Sequence, residues 1–107
     1  MRKIEYHYNI RLGTDVEHKD LLKIKKELHE DPFMANIYLL TLAKKDDEQL
    51  EIINSKYLIQ KYYKDVSLYV IGISKSKDAA ISLVETLMQE CVTNRGDANL
   101  KAYLIGD

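Results

Sequence analysis

Val66-Ser67-Leu68-Tyr69-Val70-Ile71-Gly72-Ile73 is the most strand-like run in the chain, and Ser74-Lys75-Ser76-Lys77 leads out of it into an amphipathic segment. β-branched and aromatic side chains suit a pleated surface. The run shows almost no alternation between apolar and polar residues, which is the mark of a strand covered on both faces, so it reads as the centre of a sheet. Val70 and Ile71 then point to opposite faces, and both are expected to be buried. Ser76 is placed to cap the helix that follows. In that helix Ala80, Ile81, Val84, Leu87, Met88 and Cys91 share one face, while Ser82, Glu85, Thr86, Gln89 and Glu90 share the other. Such a helix lies on a sheet.

The same grammar extends in both directions. Downstream, Asn94-Arg95-Gly96-Asp97 stops the helix, and Leu100–Ile105 reads as a last strand. Upstream, Ile37–Ala43 is a second near-continuous apolar run suited to a central strand, although Phe33–Lys44 also fits a short buried helix. Between the two runs, Asp46 with Gln49 resembles a helix cap, and a second helix is expected to reach about Tyr63. At the start of the chain, Ile4, Tyr6, Tyr8, Ile10 and Leu12 alternate with Lys3, Glu5, His7, Asn9 and Arg11. Period two with one polar face predicts an edge strand. Gly13 ends it, and Thr14 with Glu17 has the form of a capping box for a first helix running to about His29. Leu21, Ile24 and Leu28 form its apolar stripe and Lys19, Lys23 and Lys26 its solvated side. Asp31-Pro32 stops it, because proline disfavours the α region in the residue before it. The expected fold is therefore α/β: one small β-α-β-α-β-α-β domain over residues 1–107, with about four strands, a mostly parallel central sheet and helices packed on it.

Composition narrows the functional classes. With 107 residues, 46% of them apolar and 31% charged, the chain can bury one core and fold alone. Sixteen basic and 17 acidic side chains leave a formal net charge of −1, too weak a field to recruit nucleic acid or an anionic membrane. Met1-Arg2-Lys3 leads into an alternating strand rather than an apolar signal segment, and no apolar run is long enough to span a bilayer. The expected location is the cytoplasm. Cys91 is the only cysteine, which excludes an internal disulfide and CxxC chemistry, and its place on the apolar face of a helix makes it a small core residue.

Metal binding is not expected. His18 and His29 lie on nearly the same helix face but about 16 Å apart along the axis, and His7 belongs to the polar face of the first strand. No GxSxG, GxxxxGK[ST] or GxGxxG motif occurs, so neither a serine elbow nor either standard phosphate loop is present, and no resident cofactor is expected. What remains is positional. Parallel strands share one carboxyl-end rim, where open α/β sheets bind ligands. The loops leaving the two central runs supply Lys44 and Lys45, then Ser74, Lys75, Ser76 and Lys77, beside expected helix N-termini that favour anions. Gly13 and Thr14 join that rim if the first strand is parallel too. The bland reading makes the serines caps and the lysines solvating charges.

The expected second helix carries one stripe more than an outer helix needs. Leu50, Ile53 and Tyr57 make one, and Ile52, Ile59 and Tyr63 make another almost opposite, with Tyr62 beside it. The surplus stripe either packs inside the domain or marks a partner surface. Taken together, the sequence favours a small cytoplasmic binding or interaction module without catalytic activity. It would be homodimeric through Ile52, Ile59, Tyr62 and Tyr63, or would take a protein partner there. The alternative is a phosphate- or nucleotide-directed enzyme, or an anion-binding domain, acting through Lys44, Lys45 and Ser74–Lys77 on a small anionic ligand.

Overall fold

In the computed structural model, residues 3–42, 50–59 and 67–105 are described, and they form a four-stranded mixed sheet with helices on both faces. The strands are β1 (Lys3–Leu12), β2 (Tyr38–Leu42), β3 (Leu50–Asn54) and β4 (Ser67–Ser74), in the order β1-β4-β2-β3. The helices are α1 (Leu21–Glu30), α2 (Pro32–Ala35), α3 (Lys77–Arg95) and α4 (Leu100–Ile105), with 3-10 turns at His18–Asp20 and Ser55–Ile59.

β4 lies at the centre, as its run of apolar residues implies. It pairs in parallel with β1 and antiparallel with β2. Val70 and Ile71 are both fully buried, and they belong to two different cores. On one face Val70, Leu68 and Ile73 meet Ile24 and Leu28 of α1 and Leu58 of the 3-10 turn. On the other, Ile71 and Leu40 meet Ala80, Leu87 and Cys91 of α3 and Leu100 and Leu104 of α4.

The expectation of a mostly parallel sheet fails at the second helix. Leu50–Asn54 is a strand antiparallel to β2, followed by the 3-10 turn, and this reverses the chain direction on which a parallel sheet depends. The faces of this strand cut across the two helical stripes: Leu50 and Ile52 pack toward α3, while Ile53 packs toward α1. Apolar side chains on two opposite faces are what a strand covered from both sides requires. The expected cap at Asp46 and the end of that helix at Tyr63 lie outside the described residues.

Leu100–Ile105 is likewise a helix and not a strand. The Asn99 Oδ1 accepts from the Ala102 amide at its start, an N-cap bond that a strand would not use. α4 reaches the face of β1 that alternation assigned to solvent at His7, while Lys3, Glu5 and Asn9 of that face stay exposed. His7 is accordingly buried, not on a wet face; its Nδ1 accepts from the Asn9 amide, so its Nε2 carries the proton and donates to the Leu104 carbonyl at 2.6 Å. Tyr8 in turn is almost fully exposed. The faultless alternation hides an irregularity, because pairing with β4 shifts between Tyr6 and Arg11.

The capping box at Thr14 and Glu17 does not form, since Glu17 precedes only the 3-10 turn and makes no side-chain cap bond. α1 starts later, at Leu21, with Ile24 and Leu28 buried and Leu21 packed at the core margin. Ser76 does cap α3, accepting from the Ala79 amide, and Cys91 is buried as expected.

Candidate binding cleft

Where β2 begins and β3 ends, short polar side chains replace a regular connection. Asn36 closes α2 in the left-handed region at φ 46, a conformation asparagine tolerates better than most residues. Its Oδ1 accepts from Asn54 Nδ2 at 3.3 Å, and Asn54 Oδ1 accepts from the Lys56 amide at 2.8 Å. Beneath them the buried Ser55 Oγ accepts from the Ile37 amide, and the Ser55 amide donates back to the Ile37 carbonyl. These bonds hold the start of the 3-10 turn against β2.

A half-open cleft of about 590 Å³ results, lined by Asn36, Tyr38, Ile52, Asn54, Lys56, Tyr57 and Lys77. Its volume lies within the range of small-ligand pockets. Tyr38 and Ile52 rise from the sheet, Lys56 and Tyr57 come from the 3-10 turn, and Lys77 is the first residue of α3. Among the described residues no carboxylate or imidazole lines the cleft, and neither Lys56 nor Lys77 makes an ion pair. Lys56 Nζ stands 5.5 Å from the Phe33 ring centroid. The arrangement offers two ammonium groups, two carboxamides and two phenols around an isoleucine. That is a donor-rich wall for an anionic group beside surface for a planar or apolar body.

Of the described rim residues expected from sequence, only Lys77 reaches this cleft. β2 runs antiparallel to β4, so the carboxyl ends of the two central strands lie at opposite ends of the sheet and do not form one rim. Lys44 and Lys45 lie outside the described residues. Around Ser74–Ser76 the chain supplies its own anion. Asp15 accepts from the Lys75 amide through Oδ1 and from the Ser76 hydroxyl through Oδ2, both at 3.0 Å. The buried Ser74 hydroxyl donates to the Ser76 carbonyl, and Lys75 Nζ lies 3.9 Å from Asp20. Gly13 permits this closure: a Cβ there would stand 2.7 Å from Ser74 Cβ. β1 is parallel to β4, so Gly13 and Thr14 do adjoin the end of β4.

Of the residues assigned to a partner surface, Ile52 is partly buried against the α3 side of the core, and Ile59 is exposed on the 3-10 turn. They do not share a helical stripe. Tyr62 and Tyr63 lie outside the described residues.

Among the described residues a strong electrostatic perturbation lies elsewhere, between β1, α3 and α4. Arg11 forks onto Glu90 at 2.8 and 2.7 Å, and the Tyr103 hydroxyl donates to Glu90 Oε1 at 2.6 Å. Hydrogen bonds from Arg11 and then Tyr103 pull the Glu90 carboxyl down to about 2, and the bond to Glu90 pushes Tyr103 up. Asn94 Nδ2 donates to the Tyr103 hydroxyl. Each charge here faces its opposite, so the cluster is a clamp between three elements. Burial also pushes the Tyr6 phenol up to about 12, under α1. Among the described residues no group of three or more His, Cys, Asp or Glu side chains could hold a metal, and no helix is long and apolar enough to cross a membrane.

Asn36, Tyr38, Asn54, Lys56 and Tyr57 were not legible as site residues. Their convergence depends on β3, which the helical reading concealed; the one available signal was Asn36, standing between a helix stop and an apolar run, where a left-handed turn belongs. No protein-family model matches the sequence, no curated protein matches it, and no solved structure matches it.

Proposed function

We propose that this chain is a small binding module without catalytic activity, and that the cleft between the end of β3 and the start of α3 takes a small organic anion. One observation carries the reading: Lys56 and Lys77, from two separate elements, converge on a cleft with no carboxylate among its described lining residues. A phosphate or carboxylate group suits the two ammoniums, and a planar body suits Tyr38 and Tyr57. An enzyme at the same place would have only the lysines and tyrosines for proton transfer, since no carboxylate or imidazole is among the described lining residues.

Thermal unfolding with inorganic phosphate, nucleoside monophosphates and short dicarboxylates tests the reading. A ligand at about one hundred times its dissociation constant stabilises the folded state by about 2.7 kcal/mol, which a melting curve resolves. The rise should vanish in Lys56→Gln and Lys77→Gln and persist in Lys75→Gln, whose ammonium lies outside the cleft. A flat response across the panel overturns the proposal, as does a rise that depends on Lys75 and ignores Lys56 and Lys77.

A further inference from the structure

α3 buries one face and leaves a second apolar stripe open. Ala80, Leu87 and Cys91 point into the core. About a third of a turn around the helix, Ile81 and Val92 are exposed at 40% and 48%, with the half-buried Val84 and Met88 between them. Val84, Glu85, Met88, Gln89 and Val92 line a shallow groove of about 470 Å³. Along the same stripe Asp78, Ile81, Glu85, Met88, Val92 and Arg95 recur at alternating spacings of three and four. That is the seam repeat of a helix that packs lengthwise on another helix.

The order of residues on the stripe identifies the other helix. Read backwards, the stripe is its own complement. A second copy of α3 laid antiparallel, with the two-fold axis between Glu85 and Met88, sets Ile81 against the partner's Val92 and Asp78 against the partner's Arg95, each contact occurring twice. Asp78 is exposed and forms no ion pair among the described residues; Arg95 is exposed and bonds the neighbouring Asp97 through Nε. Opposite charges at both ends, with Ile81 and Val92 in contact inside them, fit a two-fold, self-complementary interface. We infer that this chain dimerises through α3, antiparallel about the Glu85–Met88 point. The interface replaces the one expected at Ile52, Ile59, Tyr62 and Tyr63 and stands independently of the cleft.

One helix pair lies at the small end of stable interfaces, so association is expected in the micromolar range. In this register each Glu85 faces the partner's Met88, and the two Glu85 carboxylates come near each other across the axis and weaken the contact. Sedimentation equilibrium of the full chain should show a shift from one to two chain masses as concentration rises, and Glu85→Gln should tighten the dimer severalfold. Asp78→Arg places two arginines at each end, and Arg95→Glu places two acids there; each variant alone should be monomeric with the far-ultraviolet circular dichroism spectrum of the wild type. Mixed in equal amounts, the two should form a heterodimer, because the introduced arginine of one chain then meets the introduced glutamate of the other and the native Asp78–Arg95 pair survives at the opposite end. A wild-type chain that stays monomeric at about 1 mM overturns the inference. So do single variants that remain dimeric, or monomeric variants that fail to associate when mixed.

Discussion

Glu90 receives two hydrogen bonds from the Arg11 fork and one from the Tyr103 hydroxyl, so its charged form is favoured more strongly in the folded chain than in the unfolded one. Its carboxyl is lowered from 4.5 to about 2. A lowered acid contributes stability that is fully present above its unfolded value and is lost as pH falls through the folded value, which places the loss between about 4.5 and 2. Glu90→Gln is therefore expected to lower the urea midpoint at pH 7 and to make little difference at the acid end of that window. A gap between wild type and variant that stays constant across the titration would remove Glu90 as the source. Arg11 is expensive to strand: its Nε is already buried without a partner, so losing the Glu90 carboxylate leaves a guanidinium with fewer acceptors still.

Gly72 governs how β4 meets α3. Ile71 has no partner in either neighbouring ladder, because pairing with β1 passes from Val70 to Gly72 and pairing with β2 does the same. The bulge turns Gly72 toward α3, where a Cβ would stand 2.8 Å from Leu83 Cδ2 and 3.1 Å from the Arg11 carbonyl oxygen. Leu83 can move, but the carbonyl belongs to a paired strand. Gly72→Ala is expected to destabilise by about 1 to 3 kcal/mol, measured by denaturant unfolding, and a neutral substitution would show that the helix seats itself less closely than the geometry requires. Elements were legible where one physical signal dominated. β4 was, from its unbroken apolar run, and α3 was, from its single buried face and the Ser76 cap. β3 was not, because five residues cannot separate a strand from a helix by periodicity, and Leu50, Ile52 and Ile53 satisfy either spacing. α4 was missed for the same reason, and with it the burial of His7, which depends on a helix nearly the whole chain away. Gly72 itself was a readable sign, since an isolated glycine within a strand marks a bulge or a close approach. The cleft could not be read, as its walls are brought together only by the β2–β3 pairing.

Helices on both faces and the order β1-β4-β2-β3 place the first strand beside the last, while β2 and β3, neighbours in sequence, are neighbours in the sheet. Ile4 pairs with Leu68, whereas Leu42 pairs with Leu50. Closing a long loop costs more entropy than closing a short one, and contacts distant in sequence slow folding. As the chain leaves the ribosome, β1 therefore emerges first and is the last strand to find a partner. β2 and β3 can pair early, yet the edge of β2 that β4 will occupy stays open until residues 67–74 arrive. Pulse-labelled hydrogen exchange during refolding should protect amides of the β2–β3 pair before those of β1. Simultaneous protection of all four strands would mean that the sheet condenses in one step. On the ordered route the nascent chain carries unpaired edges on β1 and β2 until residues 67–74 arrive, and its exposure to aggregation is set by how quickly β4 inserts between them.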